Sequence, residues 1–124
     1  MEQWIEGKVI TGLQNGRQWG FPTANVAVNQ TGFAMESGVY AVRVRVVGET
    51  FPAMMYMGTR PTLALTEPTI EIHIFDFDLN IYGKEISFQI VQKVRDERRF
   101  DSVDALIAQL RTDAATIREI LRNY

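Results

Sequence analysis

Three polar residues carry most of the chemistry this chain offers: Thr23, Asn25 and Glu71. Thr23 and Asn25 belong to Gly20-Phe21-Pro22-Thr23-Ala24-Asn25, which follows glycines at 7, 12 and 16. One residue separates the two, so an extended backbone turns both side chains the same way. Pro22 fixes φ just ahead of them. A hydroxyl and an amide oxygen, in a chain with no cysteine and one histidine, suit a hard cation such as Mg²⁺ rather than zinc. The same pair also fits a polar turn whose side chains bond their own backbone. Glu71 lies within Ile70-Glu71-Ile72-His73-Ile74, on the face opposite the isoleucines. A carboxylate there is a general base if it meets a cleft, and a solvated side chain otherwise. His73 has no second His or Cys with which to hold a metal, so it reads as a structural hydrogen bond. The glycines do not form a P-loop, because Leu13-Gln14 stand where Lys-Ser/Thr is required, and no G-x-G-x-x-G occurs.

These residues need strands to position them. Tyr40, Val42, Val44 and Val46 alternate with Ala41, Arg43 and Arg45, and Ile86, Phe88 and Ile90 alternate with Glu85, Ser87 and Gln89. Together with Ile70–Ile74, they read as half-buried strands. Shorter strands are expected over Ile5–Ile10 and Ala53–Met57. Turns are expected at Asn15-Gly16, Glu36-Ser37-Gly38, Gly48-Glu49 and Tyr82-Gly83-Lys84. Tyr56, Met57, Arg60, Pro61 and Thr62 read as a loop, and Leu63–Pro68 as a flap. The period then changes. Val103, Leu106, Ile107, Leu110, Ala114, Ile117 and Leu121 form one helical stripe, which Asp101 or Ser102 can cap. Many short strands followed by one amphipathic helix predict a sandwich or small barrel, with the helix on its outside or across one end. Arg95-Asp96-Glu97-Arg98-Arg99-Phe100 joins the last strand to the helix as a charged connector, from which Arg95 could orient a ligand.

At 124 residues, with 46% apolar and 23% charged residues, the chain reads as one soluble domain spanning 1–124. The barrel is expected over about 4–95 and the helix over about 102–122. The net charge of −2 lacks the basic excess of a sequence-independent nucleic-acid binder, so no nucleic-acid partner is expected. No apolar run reaches the roughly 18 residues of a membrane span, and the N-terminus has no signal-peptide pattern. A cytoplasmic location and no membrane partner are expected.

Taken together, the motifs resemble the riboflavin kinase (flavokinase) family. The matching stretches are G-K-V-I-T-G-L-Q-N-G-R-Q-W-G-F-P-T-A-N at 7–25, S-G-V-Y-A-V-R-V at 37–44 and M-G-T-R-P-T at 57–62. E-I-H-I-F-D-F-D-L-N-I-Y-G-K at 71–84 and K-V-R-D-E-R-R-F-D-S at 93–102 follow in order. The resemblance covers almost the whole chain, and its most specific part is P-T-A-N followed by E-x-H-x-F-D-F. It implies a closed antiparallel Greek-key barrel of about six strands with a C-terminal helix. It also implies ATP- and Mg²⁺-dependent phosphorylation of the ribityl terminal hydroxyl of riboflavin, giving FMN and ADP. By the same resemblance, Thr23 and Asn25 bind the metal of Mg–ATP and Glu71 is the base. Gly7, Lys8, Gly12, Gly16, Arg17, Pro22 and Thr23 are implied nucleotide contacts. Arg95, Glu97 and Phe100 are implied flavin contacts. Met54, Met55, Met57, Phe75 and Phe77 are candidates for the walls of the flavin slot.

Two departures stand out. Bacterial members often carry Asn-Ile-Gly-x-Arg-Pro-Thr where Tyr56-Met57 precede Gly58 here, and often Gly-Asp-Leu-Tyr-Gly where Leu79-Asn80-Ile81-Tyr82-Gly83 stands. Bacterial versions usually follow an FMN adenylyltransferase domain, as in bifunctional FAD synthetases. The chain is therefore either a stand-alone kinase or the C-terminal part of such an enzyme, and the start at Trp4-Ile5-Glu6-Gly7 favours the latter. Two other functions compete. One is a barrel that holds flavin or nucleotide without turning it over, against which Thr23, Asn25 and Glu71 all argue. The other is an interaction barrel of the translation-factor type, which has no use for P-T-A-N.

Overall fold

The computed structural model describes the backbone of residues 3–15, 20–29, 36–61 and 66–122, and their side chains except at 12–15, 59–61 and 66–68. Six strands are present: β1 (Trp4–Asn15), β2 (Thr23–Val28), β3 (Gly38–Val46), β4 (Glu49–Pro61), β5 (Thr66–Ile74) and β6 (Glu85–Asp96). One helix, α1 (Val103–Leu121), follows them. The strands close into an antiparallel barrel in the order β1-β2-β5-β4-β3-β6. Strands β3, β4 and β5 are consecutive antiparallel neighbours, and β6 returns to lie beside β3, which is the Greek-key order.

Alternation decides what faces inward. Val42 and Val44 of β3, Met55 and Met57 of β4, Ile72 of β5 and Phe88 of β6 are all within 1% of fully buried and fill the interior. Ile81, from the β5–β6 connection, joins the same cluster. That connection is pinned to β1, where Gly83 donates to the Val9 carbonyl and Val9 donates to the Lys84 carbonyl. Asn80, in the position where a carboxylate is common, still closes the local turn by accepting from the Tyr82 N–H at 3.0 Å.

A second apolar cluster lies outside the barrel wall. There Val39 and Ala41 of β3 and Met54 of β4 meet Ile117 and Leu121 of α1. Two bulges in β6 serve this contact. The register passes from Val39↔Arg95 to Tyr40↔Lys93, and from Ala41↔Gln92 to Val42↔Ile90. The skipped residues, Val94 and Val91, both pack against the second cluster. Ser102 caps α1 by accepting from the Ala105 N–H at 3.0 Å.

Several expectations change. The region 23–28, not expected among the strands, is one, so of the two readings of Thr23 and Asn25 the extended backbone holds, and β1 and β4 are longer than Ile5–Ile10 and Ala53–Met57. Residues 56–61 are strand rather than loop, and Thr66–Pro68 of the expected flap pair with β4. Residues 62–65 lie outside the described residues. The β3–β4 turn is Val47-Gly48, with both φ angles positive, one residue before the expected position. Val103, expected on the buried stripe, is 52% exposed, while Asp113 within that stripe is 1% exposed.

Candidate active site

Strand pairing lines up one row of residues across the outer wall. Asn25 of β2 sits opposite Glu71 of β5, and Glu71 opposite Tyr56 of β4. Tyr56 sits opposite Val39 of β3, and Val39 opposite Arg95 of β6. All lie on the outward face, because their strand neighbours Ala24, Ile72, Met57, Tyr40 and Ile70 are buried. Above this row, the 97–100 segment and the first half of α1 leave a cavity of about 370 Å³. Its floor is Val39, Met54 and Tyr56, its roof Phe100, Leu106 and Leu110, and one end Phe21, Thr23, Glu71 and His73. Arg95 and Arg98 complete the lining. The walls are mainly apolar with a few convergent polar groups, the composition of a small-molecule site.

At the polar end, the Thr23 hydroxyl donates to Glu71 Oε1 at 2.9 Å. A hydroxyl that gives its proton to a carboxylate keeps its acceptor lone pairs. With the Asn25 amide on the same face, Thr23 supplies the neutral oxygens a hard cation takes, so the donor set fits Mg²⁺. Among the described residues no cluster of three His, Cys, Asp or Glu side chains forms a competing metal site. The β1–β2 pairing is bulged at this corner, where the six steps from Val9 to Asn15 face only three steps from Val26 to Thr23. Bulging of this kind is common beside active sites.

His73 holds the turn that leads into Thr23. Its Nδ1 is 2.8 Å from the Pro22 carbonyl, which accepts only from a protonated Nδ1. The ring lies edge-on to Phe21 and Phe75. Burial in this aromatic cage pushes its pKa down despite the carbonyl bond, so the ring is neutral at working pH. His73 is thus a structural hydrogen bond, and it also lines the cavity.

The opposite end is organised by Asp113. Its carboxylate accepts from Arg95 Nε at 2.9 and 3.0 Å, pairs with Arg95 NH2 at 2.8 Å, and accepts from Gln109 Nε2 at 2.9 Å. Arg98 NH1 in turn donates to Gln109 Oε1 at 3.0 Å. Both guanidinium groups approach the Phe100 ring, at 5.7 and 5.4 Å from its centroid. Arg95 NH1 also reaches the Asp96 carbonyl at 3.1 Å, so all three of its nitrogens hold the root of this arm.

The structure therefore brings together Thr23, Asn25, Glu71, Pro22 and, across the cavity, Arg95 and Phe100. Glu97 is joined to the same site through the Tyr56 hydroxyl, which donates to Glu97 Oε2 at 2.5 Å. Lys8 lies on the outer face opposite Ala27, two residues along β2 from Asn25. Gly7 faces inward, and a Cβ there would lie 2.8 Å from the Ala27 carbonyl oxygen, so its position reflects close strand approach. Gly12 lies on the backbone of β1, whereas Gly16 and Arg17 are outside the described residues. Of the proposed slot walls only Met54 lines the cavity. Met55 and Met57 point into the barrel, Phe77 packs on the inner cluster and Phe75 sits under Arg118.

A family profile described as Flavokinase: Riboflavin kinase matches residues 2–121. The chain belongs to the riboflavin kinase family. The bifunctional riboflavin kinase/FMN adenylyltransferase of Escherichia coli (strain K12) is 41% identical over 116 residues, covering 93% of this chain. The chain spans only 37% of the length of that relative. A solved structure named as a macrolide-efflux protein from Streptococcus pneumoniae matches with a TM-score of 0.84 at 35% identity, over 98% of this chain and 38% of that one. Riboflavin kinase from Trypanosoma brucei shares the fold, with a TM-score of 0.66 at 23% identity over 97% of this chain and 80% of that one.

Sequence reasoning missed Asp113, Gln109, Arg98, Phe21, Leu106 and Leu110 as parts of the site. Asp113 did carry a signal, because it occupies a stripe position between Leu110 and Ile117, where a charge must be paired to be buried.

Proposed function

We propose that this riboflavin kinase family member transfers the terminal phosphoryl group of Mg–ATP to the ribityl terminal hydroxyl of riboflavin, giving FMN and ADP. The observation that carries the reading is the Thr23–Glu71 hydrogen bond at the polar end of an apolar-walled cavity. The flat, largely apolar flavin ring suits the space between Val39 and Met54 below and Phe100, Leu106 and Leu110 above. The ribityl chain then runs toward Glu71.

Phosphoryl transfer asks mainly for alignment and charge neutralisation. Glu71 orients the ribityl hydroxyl and takes its proton as the hydroxyl oxygen bonds to the γ-phosphorus. The bond from that phosphorus to the β–γ bridging oxygen breaks, and ADP leaves with the electron pair. Thr23 and Asn25 would hold Mg²⁺, which when bound neutralises phosphate charge. Thr23 also fixes the Glu71 carboxylate through its hydrogen bond, and His73 fixes Thr23 through Pro22. A misplacement of about an ångström at the hydroxyl would cost on the order of a hundredfold in rate. Lys8 and the 7–17 segment are assigned to the nucleotide side, and Arg95, Glu97 and Phe100 to the flavin side. The barrel and helix are read as one kinase domain with a cytoplasmic location. In a longer natural chain it would follow an FMN adenylyltransferase domain.

The test is a product assay with purified protein, riboflavin, ATP and Mg²⁺, with FMN separated by chromatography. Metal-dependent FMN is expected. Saturable flavin binding without FMN would overturn turnover and leave a binding barrel. Neither binding nor product would return Thr23 and Glu71 to a structural pairing.

A further inference from the structure

Tyr56 spans the cavity from its floor to the arm that roofs it. On β4 it stands directly opposite Glu71, and its hydroxyl reaches Glu97, 41 residues away in sequence. The next outward position along β4 is Gly58. A Cβ there would lie 2.8 Å from the Tyr56 hydroxyl oxygen and 2.9 Å from a ring carbon. The missing side chain at 58 is therefore what lets the ring lie along the strand and reach the arm. A tyrosine in this place is also one of the two points where the chain departs from the pattern it otherwise follows.

Among the described residues, the other hydrogen bonds and ion pairs at the arm and its two ends go to α1 or to the arm's own root. Arg95 binds Asp113, Arg98 binds Gln109, and Ser102 caps the helix. Among the described residues, the Tyr56–Glu97 bond is the hydrogen bond that ties residues 97–100 to the strand beside Glu71. Arg98 and Phe100 on the same arm line the cavity, so lifting the arm widens the way in and out for a flavin held between floor and roof. Lifting it breaks this bond.

We infer that the Tyr56–Glu97 hydrogen bond is the latch of the cavity: it holds the 97–100 arm over bound flavin beside Glu71 and limits how fast flavin leaves. The inference rests on the flavin reading of the cavity given above. A bond from a hydroxyl to a carboxylate is charge-assisted and stronger than a neutral one. Burial, and then the hydrogen bond to Glu97, push the Tyr56 pKa up, so the hydroxyl keeps its proton and remains a donor at any working pH. Glu97 itself is exposed, and water competes for it, which keeps the latch openable.

The experiment follows riboflavin and FMN dissociation by stopped-flow flavin fluorescence, alongside steady-state and single-turnover phosphorylation. Tyr56→Phe keeps the ring and removes the donor. Its flavin off-rate and riboflavin KM should rise about tenfold, the worth of one partly exposed hydrogen bond to a charged group, with a smaller fall in single-turnover rate at saturating riboflavin. Glu97→Ala should match it. Glu97→Gln keeps an acceptor oxygen and should rescue the off-rate to within about threefold of wild type. The double variant Tyr56→Phe/Glu97→Ala should be no worse than either single one.

Hydrogen exchange of the 97–100 amides, without any flavin, supplies a second readout and should accelerate in Tyr56→Phe. Normal flavin binding with an off-rate within about twofold of wild type in Tyr56→Phe, or fully additive single effects, would overturn the latch alone. A wild-type chain that binds no flavin would overturn the functional reading and the latch with it.

Discussion

Asp113→Ala tests how the site is held together, because it removes a residue that touches no proposed substrate position. The Asp113 side chain is 2% exposed and the Arg95 side chain 17%. Among the described residues, deleting the carboxylate leaves the Arg95 guanidinium with the Asp96 carbonyl and the Phe100 ring, and leaves Gln109 Nε2 without its acceptor. Removing one partner of a buried ion pair costs about 3–5 kcal/mol. Arg95 retains some access to water and can turn outward, so the lower end, about 3 kcal/mol, is expected. For a chain of this size, about 4 °C per kcal/mol puts the loss in thermal midpoint at roughly 12 °C. A paired replacement, Arg95→Met with Asp113→Leu, removes both charges and should recover most of that stability, since apolar substitutes for buried ion pairs are often neutral or better. It should not recover riboflavin KM, because Arg95 lines the cavity and anchors the arm bearing Phe100. The assays are urea unfolding and riboflavin titration on the same three proteins. A loss below about 1 kcal/mol for Asp113→Ala would refute the buried-pair argument. Full recovery of riboflavin KM in the paired variant would refute the role given to Arg95.

Glu71→Gln should lower turnover by about a hundredfold or more with riboflavin binding largely kept, and an unchanged kcat would remove Glu71 from its role. Val47, with φ of 47°, occupies the first position of a two-residue hairpin turn that favours asparagine before Gly48. Val47→Asn should therefore raise stability by about 1 kcal/mol in thermal or urea unfolding, and no gain would mean that the turn carries no strain. His73 gives a pH signature. Its folded pKa is pushed below the usual value near 6.5 by burial, with Arg118 pushing the same way and the Pro22 carbonyl and Asp76 opposing. The unfolded chain then takes up a proton that the folded one resists, so this contribution is complete above about pH 6.5 and is lost as pH falls through that value toward the folded pKa. Urea unfolding between pH 7.5 and 5 should show the loss in wild type, and His73→Gln should flatten it; equal slopes would refute the buried neutral ring.

Much of this fold is legible wherever a strand has one buried and one wet face. Tyr40–Val46, Ile70–Ile74 and Ile86–Ile90 keep their inward apolar rows in three dimensions, but the outward rows are not uniformly wet, because Ala41 is buried in the outer cluster with the helix and Gln89 is only 5% exposed. The strand β2 has such an apolar row too, in Ala24, Val26 and Val28, but Pro22 and the polar Thr23 and Asn25 draw attention to a turn instead. The bulges at Val91 and Val94 have no local signature, because they arise from fitting β6 to β3 and to the helix together. Glu71 is recognisable as an outward carboxylate. That it accepts from Thr23, 48 residues earlier, depends on β2 and β5 pairing, which alternation alone does not specify. Asp113 stands on the apolar stripe and so calls for a partner, but which partner is legible only once Arg95 is seen to reach it from β6.

The closure of the barrel explains why the outward positions are the informative ones. Even an eight-stranded barrel has an interior only just wide enough for side chains to fill. Six strands leave less, and Met55, Met57 and Phe88 occupy it fully. The cavity described above accordingly lies on the outer wall, where a sheet surface needs a second layer to exclude water. The helix provides that layer over Val39, Ala41 and Met54, and the 97–100 arm extends it toward Glu71. Strand period thus divides the labour. In β4 and β5, Met55, Met57, Ile70 and Ile72 hold the fold, while Tyr56 and Glu71, between them in sequence, face the cavity. Neighbouring substitutions such as Met57→Ala and Tyr56→Phe should accordingly fail in different ways, the first by loss of about 2–5 kcal/mol of stability and the second by faster loss of ligand.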